Sequence, residues 1–233
     1  MGPGKRVIAA DEEGLPRLPP GRHGLPREFV VENQRRRIAA GLIAVVVEQG
    51  YNASTVTQIV AAAGVSRRTF YNYYADKQEA FFDVYRQVSD FLLESMTRSG
   101  ADATGWGARV RVELAALLDA LAANPDLARF CLAVPPAAGG DIAMVQREFL
   151  ARLMEVLAES RPKRARKTTD ASEYAIAGGL AALILEALGD GDQPGISGLL
   201  PEVTELALTP YLGREEAARL ASEAPHRFLG ETS

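Results

Sequence analysis

Cysteine occurs once in this chain, at Cys131, and histidine only at His23 and His226. A lone cysteine excludes an internal disulfide framework and suits a reducing compartment. Two histidines near opposite ends, with no Gly-rich phosphate loop and no metal-ligand spacing, leave little from which to assemble acid–base or metal chemistry. No cofactor, no metal and no catalytic residue are therefore expected. Cys131 lies between Phe130 and Leu132 and reads as a small buried hydrophobe, with a nucleophilic or redox thiol as the alternative. Aromatic residues make up 7% of the chain, and no run of alternating β-branched residues is present. Alanine and leucine are abundant, so the expected fold is all-α. The longest apolar run, residues 175 to 185, is broken by Gly178 and Gly179 and falls short of the roughly 20 residues that span a bilayer. The first residues carry Pro, Gly and Asp11-Glu12-Glu13 in place of an apolar core, so no secretory signal is read and a cytoplasmic protein is expected.

With 233 residues and 47% hydrophobic content, the chain can bury a sizeable core. Its net charge of −4 hides an asymmetry: residues 1 to 80 hold 11 Lys/Arg against 8 Asp/Glu, a net of +3, and the remainder holds 15 against 22, a net of −7. Phosphate attraction is screened over about 10 Å at ordinary salt, so only the charge on a docking face matters for a polyanion. The sign over the first 80 residues is the right one.

Thr55 to Lys77 reads as two short helices joined by a glycine turn. Thr55 can cap the first, with Gln58 reaching back, and Val56, Ile59, Val60 and Ala63 then share one face. Gly64 can take the left-handed conformation that stops this helix, Val65 plugs the turn, and Ser66 can cap the second helix. Phe70 and Tyr74, four residues apart, can face inward, which leaves Arg67, Arg68, Thr69, Tyr71 and Asn72 outward. Arginine can pair bidentately with guanine O6 and N7, and Thr or Asn can bond base edges or phosphates. That is the composition of a DNA-reading helix.

In the elements Ala63-Gly64-Val65-Ser66, Thr69-Phe70-Tyr71 and Tyr74-x-x-Lys77, residues 29 to 82 resemble the DNA-binding half of TetR-family transcriptional repressors. The resemblance implies that Arg67 and Arg68 sit nearest the bases. It also implies that Thr69 and Tyr71 touch phosphates or thymine methyls, and that Lys77 and Thr55 hold phosphates at their helix N-termini. The run Arg35-Arg36-Arg37, with Arg36 as the candidate contact, could neutralise further phosphates.

The domain reading follows from composition. Residues 1 to 28, rich in Pro and Gly with scattered Arg and Lys, are expected to be a disordered basic arm. Residues 29 to 82 form the helix-turn-helix domain, its first helix (29 to 49) contributing Phe29, Ile38, Leu42, Ile43 and Val46 to the core. A long helix, capped by Asp76 with Glu79 and running to about 99, joins it to a helical effector-binding and dimerisation domain over 83 to 224. Residues 225 to 233 form a tail. Within the second domain helices are expected at 106 to 123, from Asn124-Pro125 to before Pro135, at 141 to 160, and at 170 to 188. A last one at 198 to 208 should break at Pro210 and resume from 214 to 221. The basic stretch 161 to 167 reads as a solvated loop between helices.

Regulation by a ligand requires a dimer, and a two-fold dimer would seat its reading helices in major grooves roughly 34 Å apart, on a near-palindrome. Gly178, Gly179, Ala182 and Leu183 would allow close helix approach, and Leu199, Leu200, Val203 and Leu206 could supply the partner surface. The resemblance points to these two helices as a four-helix interface. Trp106, Leu114, Phe130, Cys131, Met144, Phe149 and Tyr174 are candidates to line an apolar effector cavity. The expected function is a homodimeric repressor that binds double-stranded operator DNA and is released by a small, largely apolar molecule. The alternative is a helical small-molecule-binding or interaction protein without sequence-specific DNA binding.

Overall fold

The computed structural model describes residues 27–189 and 195–223, and among them every regular element is helical. The expected N-terminal arm, apart from Arg27 and Glu28, which open the first helix, lies outside the described residues, as do the C-terminal tail and both histidines. Helix α1 (Arg27–Gln49) starts two residues earlier than its apolar period suggested. Phe29 was expected in the core and is instead 52% exposed. Ile38, Leu42 and Val46, spaced by four, are fully buried, with Ala39, Ile43 and Val45 buried beside them.

Helices α2 (Val56–Ala63) and α3 (Arg67–Tyr71) follow. Close approach of α1 to α2 depends on Gly41, because a Cβ built there would stand 2.6 Å from the Ala63 backbone nitrogen. Gly64 ends α2 at φ 60° and ψ 35°, the left-handed region that disfavours a side chain. Helix α4 (Lys77–Gly100) is the long strut: Ala80, Phe81, Val84, Tyr85, Val88, Leu92 and Met96 make its buried stripe.

The distal bundle comprises α5 (Trp106–Ala123), α6 (Pro125–Ala128), α7 (Val134–Ala138), α8 (Gly140–Ala158), α9 (Asp170–Ala187), α10 (Leu200–Leu212) and α11 (Arg214–Ser222). Between α6 and α7 the chain widens into a single π-helical turn, Arg129–Ala133, that buries Phe130, Cys131 and Leu132. One short helix was expected before Pro135, but α7 contains both prolines. They fall in its first turn, where a missing N–H has no partner to lose. Likewise α10 runs through Pro210 instead of stopping at 208, and begins after a 3₁₀ turn at Ile196–Leu199. Pro210 forfeits its own bond to the carbonyl one turn back, and the helix ends two residues later at Leu212.

Helix α5 packs along α4, and α8 packs on both α4 and α9. Leu92, Leu114, Leu117, Leu118, Leu153, Leu180 and Ile184 fill the space between them. Trp106 ties the far end of the bundle: its Nε1–H donates to the Leu157 carbonyl at 2.7 Å and its ring meets Tyr211 edge-on at 5.5 Å.

Candidate nucleic-acid interface

Two caps set the angle between α2 and α3. Thr55 Oγ1 accepts from the Gln58 amide at 3.3 Å while Gln58 Oε1 accepts from the Thr55 amide at 2.9 Å, a complete capping box. Ser66 Oγ accepts from the Thr69 amide at 3.0 Å and lies 2.8 Å from Thr69 Oγ1. Phe70, with no exposed surface, drives α3 into the core beside Tyr74, their rings 5.6 Å apart. The other faces of this five-residue helix must then point outward.

Arg67, Arg68, Tyr71 and Asn72 are exposed, and Thr69 is half-buried. The Arg67 guanidinium reaches back to Thr57 Oγ1 on α2 at 2.7 Å, which holds it over the junction of the two helices. Tyr71 is 53% exposed and leans edge-on against Phe70, a geometry that orients the ring and leaves its hydroxyl outward. The side chains of Arg68 and Asn72 make no hydrogen bond or ion pair among the described residues. Two arginines, a phenol, an amide and a hydroxyl thus share one small surface, a donor-rich set matched to phosphates and purine edges.

Lys77 is placed differently from the expectation. Its ammonium donates to the carbonyls of Tyr51 at 2.6 Å and Ser54 at 2.8 Å and stands 4.1 Å from the Tyr51 ring centre. Partial burial lowers its pKa. Two of its three donor positions therefore hold the α1–α2 loop, and the Tyr51 ring lies against the ammonium as well. Thr55 is exposed, but both its hydroxyl and its amide are engaged with Gln58.

The arginine run of α1 is also used within the chain. Arg35 pairs with Asp83 at 2.7 Å, Arg36 with Glu32 at 3.3 Å, and Arg37 donates to the Gly64 carbonyl. Asp83 is a hub that sequence alone did not reveal: it also accepts from Tyr74 at 2.9 Å, Arg86 at 2.7 Å and Gln87 at 2.8 Å. Burial pushes the Asp83 carboxyl up, but the bonds from Arg35 and Tyr74 outweigh it and hold the group below its ordinary range. Burial beside that carboxylate pushes Tyr74 up to about 12. The only sequence hint was the helical spacing of Asp83, Arg86 and Gln87. The Arg35 contact, 48 residues away, has no local signature.

In the distal half, Cys131 and Phe149 line a closed apolar chamber with nine other residues, among them Leu92, Leu117, Leu121, Leu150 and Leu153, around only about 10 Å³ of space. That is roughly room for one water. Phe130 and Leu114 are buried nearby in the core without lining it. Three expected lining residues are corrected. Met144 and Tyr174 are 56% and 49% exposed, because they lie on the outer faces of α8 and α9, and Trp106 sits at the Leu157–Tyr211 end of the bundle. Burial raises the Cys131 pKa, so the thiol stays protonated.

Of the residues expected at a dimer surface, Leu199 and Val203 are buried within their own chain, since they face α5 and its neighbours. Gly178 and Ala182 are open on α9: a Cβ at Gly178 would meet nothing within 4 Å. Leu183, Leu200 and Leu206 are half-buried, and Leu206 covers Gly179.

Residues 38–84, from the middle of α1 into α4, match the family model described as bacterial regulatory proteins, tetR family. The whole fold is similar to that of the fatty acid degradation regulator FadR from Bacillus halodurans, at 20% identity and a TM-score of 0.65, over 74% of this chain and 96% of that one. It is also similar to FadR from Bacillus subtilis, whose structure holds stearoyl-CoA, at 16% identity and a TM-score of 0.61, over 75% and 97%. The TetR regulator TylP from Streptomyces fradiae matches at 22% identity and a TM-score of 0.57, over 80% and 90%. No curated protein sequence matches the chain. Residues 38–84 are thus a helix-turn-helix segment of the tetR family type, and the helices behind it have the fold of those solved regulators.

Proposed function

We propose that this regulator is a repressor, that it binds a near-palindromic operator as a homodimer through α3, and that a small, largely apolar molecule releases it. The observation that carries the DNA reading is the donor-rich surface of α3, with Arg67, Arg68, Tyr71 and Asn72 exposed on a helix whose angle Ser66 and Phe70 fix. A fixed reader can register on a duplex without ordering costs at each contact. Thr55 and Lys77 serve this surface by shaping the α1–α2 loop. Arg36 supplies charge at its flank.

The dimer reading is supported by the open small-residue strip Gly178 and Ala182 beside Leu183, Leu200 and Leu206 on α9 and α10, where another helix pair can approach closely. The apolar-effector reading is supported by the all-apolar lining of the chamber. Its link to DNA would run through α4. Phe81 and Tyr85 meet the Phe130 ring in tilted contacts at 5.2 and 5.7 Å, and the Tyr85 hydroxyl donates to the Cys131 carbonyl at 2.9 Å. A molecule that spreads the chamber displaces the turn bearing Cys131, and with it the strut that positions α3. It acts only as far as it binds the DNA-free conformation more tightly.

Selection of duplexes from a random DNA pool tests the DNA reading. A palindrome that binds tightly, weakens steeply with salt and is lost in the Arg67→Ala/Arg68→Ala variant is the expected result. No enrichment at low salt would favour the alternative, a helical ligand-binding protein without sequence-specific DNA binding.

A further inference from the structure

Ser89 is 2% exposed, and its Oγ has no hydrogen-bond partner among the described residues. Two other hydroxyls of α4 behave differently: Ser95 Oγ donates to the Phe91 carbonyl at 2.7 Å and Thr97 Oγ1 to the Leu93 carbonyl at 3.1 Å, each four residues back. That option is open to any helical serine, and Ser89 does not take it. A buried hydroxyl left without a partner destabilises the fold, whereas alanine would fill nearly the same volume at no such cost.

The surroundings indicate what the hydroxyl serves. Ser89 follows Tyr85 by four residues and precedes Leu92 by three, so all three share one face of α4. Leu92 lines the closed chamber, and the Tyr85 ring meets Phe149 of α8, another lining residue, at 6.5 Å. One position on, Asp90 pairs with Arg152 of α8 at 2.7 Å. Leu93 and Val156 line an open groove on the outer side of the same two helices. By this spacing Ser89 faces the seam of α4 and α8, beside Leu92 of the chamber and Leu93 of the groove, and itself lines neither. Other polar groups beside the chamber are engaged: the Tyr85 hydroxyl with the Cys131 carbonyl, and the Gln146 amide with the Leu132 carbonyl at 2.7 Å.

We propose that Ser89 is the hydrogen-bond donor of the effector site, its Oγ–H given to an acceptor oxygen of an otherwise apolar, uncharged molecule lodged between α4 and α8. This rests on the chamber being the effector site. An uncharged ligand follows from the lining, because none of the chamber residues is ionised at neutral pH and a charge there would go unpaired. An oxygen acceptor such as a ketone, ester or ether follows from the donor it must meet.

The test uses the full chain, heptane and 2-heptanone, and the Ser89→Ala variant, with affinities read by titration and by the shift in melting temperature. Ser89→Ala should weaken 2-heptanone about two- to tenfold and leave heptane unchanged. The ligand-free variant should melt no lower than the wild type. Equal effects on both compounds, no effect on either, or a lower melting temperature would each overturn the role of Ser89 and leave the chamber standing. Failure of both compounds to bind the wild type would overturn the chamber as the effector site, and Ser89's role with it.

Discussion

The two halves of the molecule are held together by different forces. Around α2 and α3 almost every turn is fixed by a directional bond: the Thr55 box, the Ser66 cap, Arg37 on Gly64, Lys77 on the α1–α2 loop, and the Asp83 hub. Around the chamber the contacts are leucine on leucine, and the hydrogen bonds there tie down the turn at Cys131 and Leu132 instead of the lining itself. Directional bonds fail abruptly when geometry shifts, whereas apolar packing tolerates exchange of shape at constant volume. The proposed reader, which would have to hold its register, and the proposed chamber, which would have to accept a guest, would call for those two materials respectively.

Substitutions can break the contrast at its strongest point. Phe70→Ala empties the anchor of α3 and should cost about 3–5 kcal/mol of stability, measured by urea unfolding, with loss of DNA binding at temperatures where the bundle stays folded. Leu153→Ala enlarges the chamber and should cost about 2–5 kcal/mol. Because the new space is apolar, heptane should restore part of that loss, and a melting series with and without heptane would show it. No recovery would mean that the chamber collapses on itself.

Asp83→Asn sharpens the comparison through pH. The folded carboxyl lies below its ordinary value of 3.8, so its contribution is complete above that range and disappears as pH falls through the lower folded value. The gap between wild type and variant should therefore be about 1.5–3 kcal/mol at pH 7 and shrink below about pH 4, in paired denaturation curves. Thr55→Ala removes one side of the capping box and should cost about 1 kcal/mol, read from the same curves. A pH-independent Asp83 gap would remove electrostatics from the account of the head.

Sequence made the head legible because its devices are local. A threonine three residues before a glutamine, a glycine at a helix end and a serine before two arginines each act within one turn, and each stands where its spacing placed it. Lys77 was read correctly as belonging to that region, but its orientation depends on carbonyls 23 and 26 residues away. The bundle was legible in its helices and not in its interior. Helical period told that Met144 and Phe149 were apolar, yet which of them turned inward depended on where α9 and the Cys131 turn lay. Leu199 and Val203 were misread for the same reason, since an apolar face does not say whether its own chain or another will cover it.

Asn52, in the loop before α2, donates through its side-chain amide to the Ala138 carbonyl at the end of α7, at 3.1 Å. The head therefore meets the bundle at a second place besides the continuous α4, and α1 also packs there against α6 and the Arg129–Ala133 turn. A body pinned at a single point can swivel in any direction, but one pinned at two can only rock about the line between them. Asn52 and that packing together form a line of contact, so movement of the strut would rock α3 about it more readily than in other directions. Asn52→Ala would loosen one end of that hinge line, at a cost in stability of no more than about 1 kcal/mol.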